Sequence, residues 1–156
     1  MFEEQGKNPE KEEGVELSTE QAKQLAEKIK SRLVVDRAVI YDELIELSAD
    51  HIAIEETGKI HIKNPENLKG ADLIALTLIG KNLAKLGGLC ESDTTELSEI
   101  IEATGLTPEV ATARLSDLRR EGISETLARG QYRIRSLARA RRLLLSLAEK
   151  KRQGGS

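Results

Sequence analysis

The chain has 156 residues, of which 33% are charged and 2% aromatic, and its formal net charge is −3 at pH 7. This length allows one ordinary domain or two small ones with a conventional core. A single cysteine and two isolated histidines, His51 and His61, exclude an internal disulfide framework and a metal site with the ligand spacing of zinc proteins. The scarcity of aromatic side chains argues against a surface on which the bases of single strands stack.

The opening residues have neither the basic region nor the apolar core of a signal peptide, and no apolar run approaches the length of a membrane span. Together with the lone cysteine, these observations predict a soluble, cytoplasmic protein without a membrane partner. The high charge, with one Cys and one Met, also fits a heat-adapted source.

Charge is segregated along the chain. Residues 1–110 contain 12 Lys and Arg against 23 Asp and Glu, whereas residues 111–156 contain 12 against 4. Such asymmetry is typical of a protein whose basic end binds an anionic partner. The alternatives are that the two halves attract each other, or that a partner subunit covers one of them.

The N-terminal region is predicted to contain a tail and a helix. Residues 1–17 hold six glutamates and almost nothing apolar, which predicts an acidic disordered tail. Ser18 and Gln21 then stand at capping-box spacing, and apolar residues follow at helical intervals. We therefore expect a helix over about 19–34.

A second helix and a hairpin are expected to complete a small N-terminal module over 18–68. The stretch 36–50 fits both helix and strand, and we favour helix. Ile52 and Ile54 are answered by Ile60 and Ile62 across a Glu-Thr-Gly sequence, which predicts a β-hairpin. Residues 64–70 then read as a loop and a domain boundary.

The segment 71–88 predicts a central buried helix. Seven Leu and Ile residues lie around most of its circumference, and it ends in paired glycines. The pair Gly80-Lys81 does not indicate a phosphate-binding loop, because the earlier glycine and the following Ser or Thr of that motif are missing.

Two helices joined by a tight turn are predicted next. Residues 92–95 are expected to cap the first, which stops at Thr104-Gly105. Thr107 is expected to cap the second, with Pro108 in its first turn, where the missing N–H costs nothing. Gly122 closes the second helix, and this order is that of a helix-turn-helix.

A hairpin and a last helix are predicted to follow. Residues 123–127 and 131–134 are expected to form its strands, with the turn at 128–130. Ser136 is expected to cap a helix with an apolar stripe of Leu137, Ala140, Leu144 and Leu147.

The run GLTPEVATARLSDLRREGI, followed by a hairpin with ARG at its tip and QYRI in its second strand, resembles the small winged helix-turn-helix regulators of bacteria and archaea. The resemblance covers residues 71–152. It implies that a recognition helix, about 108–121, enters the DNA major groove, and that a wing, about 123–135, contacts the backbone or the minor groove. The residues that it places at the DNA are Thr107, Glu109, Thr112, Ala113, Arg114, Ser116, Arg119, Arg120, Arg129 and Arg133. By the same resemblance, the outward face of the recognition helix is Glu109, Thr112, Ala113, Ser116 and Arg120, with Arg114 and Arg119 flanking it and Arg129 at the wing tip.

The predicted recognition helix departs from a strong base-reading pattern. Its leading residues Glu109, Thr112 and Ala113 include no Arg, Lys, Asn or Gln for bidentate base contacts. Glu109 can accept from a cytosine amino group but repels nearby phosphates. Since winged helices also serve as protein-docking modules, the alternative is an interaction subunit of a larger assembly that does not bind DNA directly.

The last helix has basic residues around its apolar stripe. We expect the leucines to pair across a twofold axis, so that the protein is a homodimer through this helix. Alternatives are an edge that grips phosphates and, least favoured, a membrane-surface helix, which the lack of aromatic anchors opposes.

No pattern indicates an enzyme. No histidine stands in a nucleophile arrangement with Cys90, and no glycine pair brackets a serine as in a nucleophile elbow. The sequence thus predicts an α+β, mainly helical protein with a C-terminal winged helix, without cofactor or metal. Its expected role is that of a transcriptional regulator or chromatin-associated factor, with a further protein partner at the N-terminal module.

Overall fold

The computed structural model describes residues 16–154. This part of the chain contains six α-helices and five short β-strands. The fold class is α+β and mainly helical, as predicted. The packing separates two units between Asp36 and Arg37. The predicted tail, 1–17, lies almost entirely outside the described residues.

Helix α1 (Thr19–Arg32) stands in the first unit and confirms the helix predicted over 19–34. Its N-terminus has the predicted capping box: the Gln21 backbone N–H donates to Ser18 Oγ at 3.1 Å, and the Ser18 N–H donates to Gln21 Oε1 at 3.0 Å. Every residue of α1 is exposed, including Leu25 and Ile29. Capping and propensity therefore define this helix without burial.

The second unit opens with α2 (Arg37–Ser48), β1 (Ile52–Ile54) and β2 (Ile60–Ile62). The ambiguous stretch is a helix, as favoured. The predicted hairpin is confirmed, and its two strands pair antiparallel with Ile52 opposite Ile62. A single 3-10 turn (Pro65–Asn67) fills the predicted loop.

Helix α3 (Gly70–Leu86) is the centre of the second unit, as predicted, and nine of its residues are buried. The β1–β2 hairpin packs directly on it at Gly80, where an added Cβ would lie 2.8 Å from Ile60 Cγ2. Ile52, Ile60 and Leu44 belong to the same core cluster as α3. The structure thus joins 37–68 to the C-terminal region and separates α1, whereas the sequence predicted one module over 18–68.

Helices α4 (Leu97–Thr104) and α5 (Pro108–Arg120) follow a two-residue strand, β3 (Thr95–Glu96). Strands β4 (Ser124–Ala128) and β5 (Gln131–Ile134) form the predicted second hairpin. Strand β3 pairs with β5, which gives an antiparallel sheet of order β3-β5-β4. The cap predicted at 92–95 is wrong: Thr95 is buried in the sheet, and the N-cap of α4 is Glu96.

Helix α6 (Leu137–Gly154) packs along α2. The predicted cap is present, since the Arg139 backbone N–H donates to Ser136 Oγ at 3.1 Å. Ala140, Leu144 and Leu147 of the predicted stripe are buried in the chain's own core. The stripe that was expected to pair across a twofold axis is therefore already covered within one chain.

Candidate nucleic-acid interface

The turn before α5 fixes how that helix begins. Gly105 adopts a left-handed conformation with φ +75°, which a residue with a side chain rarely adopts. Thr107 then caps the helix, its Oγ1 accepting from the Val110 backbone N–H at 3.3 Å, and Pro108 occupies the first turn. The predicted start of the helix is confirmed, and Gly105 allows the sharp change of chain direction from α4 to α5.

One side of α5 is buried against the rest of the second unit, and the opposite side is exposed to solvent. Ala111, Leu115 and Leu118 are buried, and α5 packs against α3. The structure exposes every residue of the predicted outward face. These residues are Glu109, Thr112, Ala113, Ser116 and Arg120.

The exposed face of α5 has a limited chemistry. The hydroxyls of Thr112 and Ser116 can donate and accept hydrogen bonds, and the Ala113 methyl is suited to a thymine methyl. Glu109 is an acceptor only when ionised. This face can therefore make short-range contacts with base edges. It has no Asn or Gln side chain that could make two hydrogen bonds to one base.

Asp117 ties two of the predicted arginines to the helix. Arg114 Nε lies 3.2 Å from Asp117 Oδ2, and the Arg120 guanidinium donates to Oδ1 of the same carboxylate. All three side chains line a depression of about 270 Å³, together with Lys69. Asp117 partly neutralises Arg114 and Arg120, so they are weaker phosphate ligands than their number implies.

The β4–β5 hairpin holds two of the remaining three predicted arginines, Arg129 and Arg133. Arg133 Nε donates to Glu125 Oε2 at 2.7 Å across the strands, and this hydrogen bond raises the pKa of Arg133. Arg129 is exposed in the turn beside Gly130, and Arg119 is exposed on α5. Within residues 16–154, neither Arg119 nor Arg129 has a carboxylate within 4.0 Å. Of the five predicted site arginines, these two have no carboxylate partner among the described residues and are fully available to an anionic partner.

Sequence reasoning missed Lys69 and the pairing of the arginines. Lys69 stands in the predicted loop but lies beside Arg114 and Arg120 in the same depression. The spacing of Arg114, Asp117 and Arg120 at three-residue intervals was a usable signal for the ion pairs, because such positions are neighbours on a helix. The Arg133–Glu125 pair depends on the register of the hairpin, in which these two residues are opposite each other.

Other kinds of site find no support in the part of the chain that the structure describes. There, no cluster of three or more His, Cys, Asp or Glu side chains is arranged to hold a metal ion. No described helix has both the length and the apolar character needed to cross a membrane. Comparisons with models of protein families, with curated proteins and with solved structures find nothing that matches this chain.

Proposed function

We propose that this chain is a winged-helix protein that binds duplex DNA, with α5 in the major groove and the β4–β5 hairpin as the wing. The observation that supports this most is the exposed outer face of α5, which two short polar hydroxyl residues and Arg120 occupy. The element order α3, β3, α4, α5, β4, β5 with a three-stranded antiparallel sheet is that expected of a winged helix.

Charge favours an anionic partner at this surface. Arg119 and Arg129 have no acidic partner among the described residues, and phosphate contacts by such side chains supply much of the affinity for duplex DNA. The hydroxyls of α5 would then add contacts to bases or phosphates. In this proposal the protein acts as a transcriptional regulator or chromatin-associated factor and not as an enzyme.

A second function, docking on a protein partner, is favoured by exposed apolar side chains on the same two elements, α5 and the β4–β5 hairpin. Val110 on α5 is 43% exposed and Leu127 on β4 is 44% exposed. Exposed apolar side chains can form the apolar core of a protein interface, which a polar rim surrounds. In that case Glu109 would bind a cation of the partner instead of facing DNA.

NMR chemical-shift mapping separates the two functions. Titration of the full-length, ¹⁵N-labelled chain with a mixed-sequence DNA duplex at low salt is expected to shift amides of 107–120 and 124–134. Chemical-shift changes spread over the amides of all basic residues, or no changes at all, would leave the DNA proposal without support. Either result would favour the docking function.

A further inference from the structure

Two adjoining depressions lie between the 3-10 turn, the start of α3 and the second half of α6. Their volumes are about 420 and 470 Å³. Asp72, Leu147 and Lys150 line both, so the depressions form one continuous surface. Each has the size of a site for a small organic molecule.

Cations dominate the lining of this surface. Arg142, Lys69, Lys150 and Lys151 all line it, and none of them has a carboxylate within 4.0 Å among residues 16–154. By contrast, Arg141 on the same helix is paired with Glu43. The only acidic side chains of this lining are Asp72 and Glu121. An excess of unpaired positive charge at a concave surface attracts anions.

The same depressions also have apolar walls and amide groups. Leu68 and Leu147 line the first, where Asn64 and Asn67 add hydrogen-bond donors. Ile123 and Leu143 line the second. An inorganic anion gains nothing from contact with apolar side chains. A molecule with an anionic group and an apolar organic part can contact both the cations and the apolar residues of the lining.

His51 is a half-buried residue of the first depression. Burial lowers its pKa, although the Asp50 carboxylate acts in the opposite direction, and Lys151 adds to the lowering. Lys69, Lys150 and Lys151 are themselves exposed, so their attraction for an anion rests on three like charges lining one depression.

We propose that this surface binds a small organic phosphate, whose phosphate lies among Lys69, Lys150 and Lys151 and whose organic part lies against Leu68 and Leu147. The proposal does not depend on DNA binding, because none of the residues that line this surface belongs to the outer face of α5, although Lys69 and Glu121 also line the depression beside Arg114 and Arg120. Glu121 and Ile123, which directly follow α5, line the second depression. A ligand there would contact the segment that connects α5 to the β4–β5 hairpin.

AMP is a suitable probe, with inorganic phosphate for comparison. In NMR titrations of the full-length chain, AMP is expected to produce saturable shifts of amides in 64–69 and 147–151. Inorganic phosphate is expected to shift the same amides more weakly, since it lacks the organic part. The variant Lys69→Gln/Lys150→Gln is expected to weaken AMP binding by about tenfold or more, the effect of removing charge-assisted hydrogen bonds.

The control variant Lys23→Gln/Lys85→Gln removes the same charge from two exposed lysines elsewhere and is expected to bind AMP as the wild type does. Thermal melts check that both variants are folded. Non-saturable shifts, or equal weakening in both variants, would overturn the proposal. So would a DNA duplex that shifts the same amides and displaces AMP, because the cations would then belong to a DNA interface. Failure of DNA to bind would overturn the proposed function and leave this site unaffected.

Discussion

Arg141 on α6 and Glu43 on α2 form a two-point ion pair, with Nε 2.9 Å from Oε1 and Nη2 3.0 Å from Oε2. The two residues are 98 positions apart in sequence. This planar arrangement fixes the orientation of the two helices more closely than a single contact would. It joins the last helix to the helix that begins the second unit.

A double-mutant cycle measures this pair. We expect Arg141→Ala and Glu43→Ala to show a coupling free energy of about 0.5–1 kcal/mol in urea unfolding, because both side chains are more than a third exposed and solvent screens them. Arg141→Lys keeps the charge but loses the two-point geometry, and should recover only part of the coupling. Additive single effects would show that the pair does not stabilise the fold.

Gly80 sets the distance between the β1–β2 hairpin and α3. Gly80→Ala places a methyl group within 3.2 Å of Ile60 and Ile52 side chains, and we expect a net loss of about 1–2 kcal/mol in the free energy of unfolding despite the better helix propensity of alanine. Gly87→Ala is the matched control, because its Cβ would meet nothing closer than 3.4 Å. Equal stability of the two variants would contradict this packing.

Glu99 provides a pH-dependent contribution to stability. Burial raises its pKa, but hydrogen bonds from Lys81 and from the Glu96 backbone N–H outweigh burial, and the net pKa is lowered. A carboxyl whose folded-state pKa is lowered adds stability above its unfolded-state pKa and loses it as the pH falls through the folded-state value. The effect of Glu99 should therefore be full at neutral pH and disappear in acid.

Glu99→Gln tests this contribution. We expect a loss of about 1 kcal/mol or less at pH 7, since the carboxylate is 45% exposed, and convergence with the wild type below about pH 4. Glu91→Gln, in an exposed loop, is the control. A difference between wild type and Glu99→Gln that stays constant from pH 7 to pH 3 would contradict the assignment.

Most elements of the fold could be predicted because their signals are local. The capping boxes and N-caps at Ser18, Thr107 and Ser136 mark helix starts by residue type alone. Strand β3 could not be predicted, because two residues show no periodicity and Thr95 becomes a strand residue only by pairing with Tyr132. The grouping of 37–68 with the C-terminal region was not predicted either, because it depends on long-range packing of the β1–β2 hairpin on α3 and of α2 on α6.

The candidate site also has features that were predictable from the sequence and features that were not. The exposure of Thr112, Ser116 and Arg119 follows from helical periodicity and was predicted correctly. Which arginines are available was not predicted, because pairing with Asp117 and Glu125 depends on side-chain geometry and strand register. The cations around Lys69 come from distant segments, and no local pattern joins them.

Glu109 opposes DNA binding if α5 faces phosphates. Glu109→Gln removes a negative charge from the exposed first turn, and we expect duplex affinity to rise by about two- to fivefold at low salt. Glu27→Gln on α1 removes the same charge elsewhere and should leave affinity unchanged. A fall in affinity confined to cytosine-containing sites would instead assign Glu109 to base contact.

The proposed function rests on the claim that the chain binds duplex DNA through α5 and the β4–β5 hairpin. The most direct test is fluorescence anisotropy of a labelled duplex across a salt series, with wild type, Arg119→Gln/Arg129→Gln and the matched control Arg32→Gln/Arg37→Gln. We predict salt-dependent binding by wild type and control. In the Arg119/Arg129 variant the slope of log Kd against log salt should fall by about 2, one for each lost phosphate contact. No binding at low salt, or equal slopes for all three proteins, would contradict the claim.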